Sequence, residues 1–334
     1  IMGNVVVWKP AATAALVSYY IMKVFIEAGV PAGVINFIPS KGTDVSEYVL
    51  KDSRLAGFHF TGSTEVFQKT WKLIGENIHN YRSYPRLVGE TGGKDYIFAY
   101  EDCDIDALVC ALIRGAFEYS GQKCSATSRT YIPAKIWPQV KEKLLSEIAT
   151  IKAGDIADFT NFLGAVIDKR AFDEVTRFID EAHASPDAEV LCGSYDDSKG
   201  WFIYPTVIQA KNPNYITMLK ELFAPVLTVY VYNDDEFDAM VDHCANASIY
   251  ALTGAIFAKD RTVIANLEER LRHSAGNFCI NDKPSGALCG QQPFGGARGS
   301  GTNDKAGSIM NMMRWMSPQT VKDNLCPDTD YRFP

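Results

Sequence analysis

The chain is short of basic charge. Its 33 Lys and Arg are outnumbered by 40 Asp and Glu, giving a formal net charge of −7. No positive field is available to hold a polyanion, which argues against nucleic acid as a partner. Closely spaced cysteines are missing too. None of the eight, at Cys103, Cys110, Cys124, Cys192, Cys244, Cys279, Cys289 and Cys326, belongs to a C-x-x-C pair. A disulfide framework and a structural zinc site are therefore both disfavoured, and a reducing compartment is expected. The five histidines share no metal-ligand spacing, so no metal is expected. The longest apolar stretch, residues 11–22, is broken by Ser18 and closed by Lys23. That is too short to cross a bilayer, and no membrane partner is expected. Both standard nucleotide fingerprints, G-x-G-x-x-G and G-x-x-x-x-G-K-[ST], are absent. What remains, 47% hydrophobic and 22% charged over 334 residues, is the composition of a globular protein of about two domains.

Strand-like and helix-like segments alternate. Val5-Val6-Val7-Trp8 is a short apolar run, and Pro10 opens an amphipathic helix from Ala12 to Glu27 that Gly29 and Pro31 close. A strand over 34–38, a helix over 43–51, a strand over 55–60 and a helix from Thr64 to Ile78 follow. This β-α rhythm predicts a parallel sheet with covering helices, at least half of a doubly wound unit. The rhythm restarts after Pro85, which places a domain boundary near Gly89. Helices are expected over 104–119, 137–150, 169–184, 235–245 and 260–273, and strands over 96–99, 129–133, 226–231 and 255–257. From Asn277 to Gly307 the chain reads as a glycine-rich loop, and beyond Ser317 as a polar extended strand.

Cys124 lies just past a helix end in Gly121-Gln122-Lys123-Cys124-Ser125-Ala126, a loop too polar for core. Lys123 beside it is expected to lower the thiol pKa and favour the reactive thiolate. A surface thiol in a loop is the plainer alternative. Glu90 sits in Gly89-Glu90-Thr91-Gly92-Gly93. Glycines around a carboxylate let backbone approach a ligand closely and suit a base at a loop tip, although most glutamates are solvated surface charges. Thr61-Gly62-Ser63 puts small residues at a helix N-terminus, where phosphate binds well. An ordinary capped βα turn reads the same way.

The joint pattern goes further. Gly89-Glu90-Thr91-Gly92-Gly93-Lys94, then Gly121-Gln122-Lys123-Cys124, with Cys124 34 residues after Glu90, resembles the glutamate and cysteine signatures of the aldehyde dehydrogenase superfamily. Trp8-Lys9-Pro10, Phe60-Thr61-Gly62-Ser63, Glu221-x-Phe223-x-Pro225 and Pro293-Phe294-Gly295-Gly296 are similar to its other motifs, and they come in its order over essentially the whole chain. Asn281-Asp282-Lys283 followed by 290–298 resembles the branch that oxidises glutamate γ-semialdehyde, the aldehyde formed from pyrroline-5-carboxylate in proline breakdown.

The resemblance implies an α/β fold of aldehyde dehydrogenase type. It divides the chain into the C-terminal part of a doubly wound NAD-binding domain (1–89), an α/β catalytic domain (90–316) and a short oligomerisation strand (317–334). It implies Cys124 as nucleophile and Glu90 as the base that activates water for thioester hydrolysis. Lys9 would contact the adenosine ribose of NAD and Glu221 the nicotinamide ribose. Gly62, Ser63, Thr64, Glu65 and Val66 would lie at the pyrophosphate. Ser125, Gly286, Ala287 and Phe294 would form the substrate pocket. Two positions depart from the pattern: Ala287 stands where a serine is common, and Ala224 where glycine is usual. Ile1 falls inside a strand-like run, so the chain is read as lacking an N-terminal part that in the family carries a second oxyanion donor. A chain so shortened is expected to be inactive alone. The resemblance also implies a homo-oligomer, at least a dimer, and a mitochondrial matrix location. Dehydrogenation of another small aldehyde and a non-catalytic fragment are the alternatives.

Overall fold

The computed structural model describes residues 1–332; the last two residues of the expected tail, Phe333 and Pro334, lie outside the described residues. Its centre is a sheet of seven strands. From one edge to the other these are Asn277–Ile280, Thr253–Phe257, Asp95–Ala99, Thr127–Pro133, Val226–Tyr232, Thr206–Ala210 and Ala188–Cys192. All neighbours run parallel except the last pair. Parallel strands need both faces covered, and the side-chain alternation of Asp95–Ala99 supplies both faces. Ile97 and Ala99 pack on one side against Leu108, Leu112, Val140 and Leu144 of the helices Ile105–Phe117 and Trp137–Ile148. Tyr96 and Phe98 pack on the other, with Val241, Leu267 and Leu271 of Phe237–Asn246 and Arg261–Leu271.

The N-terminal region is thinner. Strand β1 (Val6–Trp8) pairs in parallel with β2 (Ile35–Phe37), and β3 (Gly57–Thr61) with β4 (Arg86–Glu90). These form two separate two-stranded sheets. Leu50, Phe67, Ile74 and Leu87 make a small core under the second of them, with Phe58 and Phe60 of β3 packed against it. The helix Ala15–Glu27 buries only Ser18 and leaves Leu16, Val17, Tyr20 and Val24 exposed. Residues 301–316 return to β3 and β4. Thr302 bonds to Gly89, Trp315 lies beside His59, and the Arg86 guanidinium donates to the Arg314 carbonyl at 2.6 Å.

Two expectations are corrected. Residues 277–280 are a strand rather than loop, because Asn277 to Ile280 ladder against Thr253 to Ile256; long-range pairing overrides the glycine-rich surroundings. The stretch after Ser317 joins no ladder among the described residues, and its Val321 and Leu325 are exposed.

Candidate active site

Cys124 is positioned by a sharp turn. The helix Ile105–Phe117 stops, and Tyr119, Ser120 and Gly121 follow with φ of 57°, 56° and 64°. Left-handed backbone at two non-glycine residues is strained and must be held. Here Ser120 Oγ donates to the Gly164 carbonyl at 2.8 Å. A Cβ at Gly121 would lie 2.3 Å from the Ala224 carbonyl oxygen, so only glycine fits there. The chain then delivers Cys124, half-buried, with Ser125 buried beneath it. Among the described residues the Cys124 N–H has no acceptor.

The Gly92-Gly93 pair is explained by two close approaches. A Cβ at Gly92 would fall 2.4 Å from Glu221 Oε2, and one at Gly93 would fall 2.3 Å from the Cys124 carbonyl and 2.5 Å from Asp95 Oδ2. The Gly93 N–H donates to Glu221 Oε1 at 2.9 Å, which fixes Glu221 despite Ala224 three residues on. Glu221 and Cys124 thereby line one narrow cleft with Gly93, Lys123 and Phe223.

Glu90 ends β4 and faces a second cavity of about 70 Å³, shared with His59, Phe294, Asp304 and Lys305. Its backbone is stitched to the returning segment. Glu90 bridges Gly301, and the Thr91 N–H donates to Ser300 O at 2.8 Å. Glu90 Oε1 is buried without a hydrogen-bond partner. Burial pushes its carboxyl up to about 7, with Lys305 pulling the other way. That is the range in which a carboxylate serves as a base at neutral pH.

Lys123 does not act as the sequence suggested. Its ammonium pairs with Glu118 at 2.5 Å. The Cys124 thiol is pushed up to about 12, chiefly by burial and further by Asp95, Glu90 and Glu221. The expectation of a lowered thiol pKa is therefore corrected: three carboxylates face the sulfur, and the neighbouring cation is neutralised elsewhere.

The other expected residues divide. Ser63 caps the helix Thr64–Glu76, its hydroxyl accepting from the Val66 N–H at 3.4 Å. Thr64 Oγ1 accepts from the Gly92 N–H at 3.3 Å, Glu65 pairs with Lys69, and Gly62 and Val66 are exposed. Lys9 bonds the Pro10 carbonyl. None of these lines either cavity. Gly286, at φ 85°, and Ala287 are exposed, and their N–H groups have no acceptor among the described residues. Buried Ser285 Oγ beside them has no partner.

Two charged residues escaped sequence reasoning. Asp95 is buried, with Oδ1 accepting from the Thr253 N–H at 2.7 Å and Oδ2 unpartnered. Lys305 meets Glu90 only because residues 301–316 return to β4. Asp95 had a signal in directly following Gly93-Lys94; Lys305 had none.

This geometry has known counterparts. The profile described as the Aldehyde dehydrogenase family matches residues 1–321. The mitochondrial delta-1-pyrroline-5-carboxylate dehydrogenase of Dictyostelium discoideum is 50% identical over 337 residues, covering 100% of this chain and 60% of that protein. The Bos taurus protein of the same name is 45% identical with the same coverage. The crystal structure of the Delta-pyrroline-5-carboxylate dehydrogenase from Mycobacterium tuberculosis bound with NAD superposes with a TM-score of 0.94 at 48% identity, over 100% of this chain and 61% of that one. The chain thus spans about 60% of the length of the relatives it matches.

Proposed function

The chain belongs to the aldehyde dehydrogenase family, and we propose that it carries the nucleophile and the base for NAD-dependent oxidation of L-glutamate γ-semialdehyde to L-glutamate. The observation that carries the reading is electrostatic. A thiol and a carboxylate, Cys124 and Glu221, share one cleft, while a second carboxylate poised near neutrality, Glu90, acts on the same thiol. The names of relatives at up to 50% identity support the substrate.

NAD fits at one end of this site. Glu221 Oε2 has no hydrogen-bond partner among the described residues and faces Gly92, where a side chain would block it. A carboxylate in that position accepts from a ribose diol. Lys9 and the start of the helix Thr64–Glu76, with Gly62, Ser63, Glu65 and Val66, would hold the rest of the dinucleotide. When bound, NAD supplies the hydride acceptor that turns a thiohemiacetal into a thioester.

The chain's own groups do the remainder. Cys124 gives its proton to solvent and its sulfur attacks the aldehyde carbon, whose carbonyl π pair moves to oxygen, so one difficult oxidation becomes two easier steps. The Cys124 N–H donates to the oxygen as negative charge builds there, a contribution often worth about 3 kcal/mol. Glu90 takes a proton from water, and the resulting hydroxide releases glutamate from the sulfur. The free N–H groups of Gly286 and Ala287 donate, as two adjacent donors, to the amino acid's own carboxylate. Ser125 and Phe294 border the aliphatic stem.

We divide the chain at the end of β4, just before the change of sheet to Asp95–Ala99. Residues 1–89 belong to the nucleotide-binding domain, 90–316 to the catalytic domain and 317–334 to an oligomerisation tail that makes at least a dimer. Exposed Val321 and Leu325 support that tail. We place the chain in the mitochondrial matrix; the names of the relatives support the mitochondrion.

Calorimetry with NAD, joined to a semialdehyde turnover assay on the same sample, tests the reading. Binding with turnover supports it fully. Binding without turnover assigns the missing step to sequence present in the longer relatives. A folded sample that binds no NAD sinks the cofactor assignment for this chain. Equal kcat/KM for glutamate semialdehyde and propanal removes the carboxylate anchor.

A further inference from the structure

The cavity beside Glu90 holds a lysine that the mechanism has not used. Lys305 lies in a segment pinned to β4: Thr302 exchanges hydrogen bonds with Gly89, and Gly301 bridges Glu90. Its own backbone is left-handed at φ 50°, as is that of Asn303 at 56°. Strained backbone held by its surroundings fixes where a side chain starts. The ammonium end is fixed as well. Lys305 Nζ donates to the Gly276 carbonyl at 2.7 Å, to the Gly295 carbonyl at 3.1 Å and to Asn277 Oδ1 at 3.5 Å.

All three acceptors are neutral, so the cation is tethered without being cancelled. Other charged or titratable groups face Glu90, and each is answered. Asp304 on the same segment is paired with Arg314 at 2.8 Å and accepts from the Thr302 hydroxyl. His59 on the adjoining strand has its pKa lowered by burial and stays neutral. Cys124 is a protonated thiol at neutral pH. Glu221 and Asp95 lie beyond Gly92 and Gly93, with Glu221 held on the Gly93 N–H. Among the described residues, Lys305 is the charge that draws the Glu90 carboxyl down against its burial.

We propose that Lys305 is a positioning residue whose ammonium, anchored on the Gly276 and Gly295 carbonyls in the cavity shared with Glu90, keeps the Glu90 carboxylate ionised and available as base. The inference rests on reading Glu90 as that base. Without Lys305, burial alone would leave Glu90 protonated through neutral pH, able to donate a proton and unable to take one.

The test is a titration of Glu90 itself, which needs no turnover. The side-chain carboxyl carbon of Glu90 is followed by NMR in glutamate-labelled chain and assigned by its loss in Glu90→Gln. Lys305→Met removes charge and tether, Lys305→Gln keeps a neutral donor for the carbonyls, and Lys305→Arg keeps the charge. The titration midpoint should rise by about one pH unit in the Met and Gln variants and stay near wild type in Arg. A Gln variant that titrates like wild type overturns the proposal, because the tether alone then suffices. A midpoint that fails to rise in both neutral variants overturns it too. Should Lys305→Met not fold, as a thermal melt would report, the Gln and Arg variants decide. The base assignment fails by a separate result, a Glu90→Gln thioester that hydrolyses at the normal rate.

Discussion

Alkylation of Cys124 by iodoacetamide should be slow, and the structure sets how slow. A thiol at about 12 exists as thiolate to roughly one part in 10⁵ at neutral pH, against about 3% for an ordinary cysteine near 8.5. That deficit is about 3,000-fold. A more basic thiolate is also the better nucleophile, and a Brønsted slope of about 0.4–0.5 returns roughly 30- to 60-fold. The net expectation is a Cys124 rate about a hundredfold below that of exposed Cys110, Cys289 and Cys326. Site-resolved mass spectrometry of a timed labelling series reads all four thiols in one sample. The Cys124 rate should keep climbing with pH well into the alkaline range. Lys123→Ala is the informative perturbation. Its ammonium is already paired with Glu118, so removing it should leave the Cys124 rate within about twofold of wild type. Labelling of Cys124 at or above the rate of the exposed thiols would refute the electrostatic argument. A large drop in Lys123→Ala would restore the lysine as activator.

Glu90→Gln should form the thioester with a burst of NADH and then hydrolyse it about 10²- to 10⁴-fold more slowly; loss of the burst itself contradicts a purely hydrolytic role. The same substitution should alter stability with a definite sign. Unfolded Glu90 ionises near its ordinary 4.5, whereas in the fold it ionises near 7, so folding stability falls as pH rises between those values and the cost is fully present above them. Thermal melts should show Glu90→Gln equal to wild type below pH 4.5 and more stable in mild alkali, by about 1–2 kcal/mol after solvent screening; a variant that is less stable in alkali contradicts the burial argument. Gly93→Ala forces a Cβ onto the Cys124 carbonyl and Asp95 and should cost about 1–3 kcal/mol in denaturant melts, whereas unchanged stability would mean the loop is slack.

The sequence carried the sheet well where one strand's own pattern decides it. Tyr96-Ile97-Phe98-Ala99 alternates between the two cores, and the helix Lys169–Ala184 runs from its Asp168 cap to Ala184 just where its periodicity ends. Asn277–Ile280 was illegible because its strand character comes from a partner, Thr253–Ile256. The site divides in the same way. Cys124, Glu90 and Glu221 could be picked out because each sits in a short motif. Their electrostatics could not, because the charges that govern them arrive from residues distant along the chain. Lys123 is adjacent to Cys124 in sequence and silenced by Glu118, while Asp95, Glu90 and Glu221 converge on the sulfur from three separate segments.

That convergence has a chemical consequence for the site. Burial, reinforced by three carboxylates, keeps the sulfur protonated, and a protonated thiol is a poor target for alkylation and oxidation alike. The cations nearby do not offset this. Lys123 is paired, Lys305 is tethered on the Gly276 and Gly295 carbonyls, and buried Lys94 is itself pushed down to about 7 by burial and by Arg129. Among the described residues no unpaired positive charge lies next to Cys124, and whatever brings one in will lower the thiol toward the reactive form. Binding and activation are then the same electrostatic event: a cationic ligand that enters beside Glu221 should accelerate Cys124 labelling, and a neutral ligand of the same shape should only shield it. Equal protection by both would show that the carboxylates are too well screened to govern the sulfur.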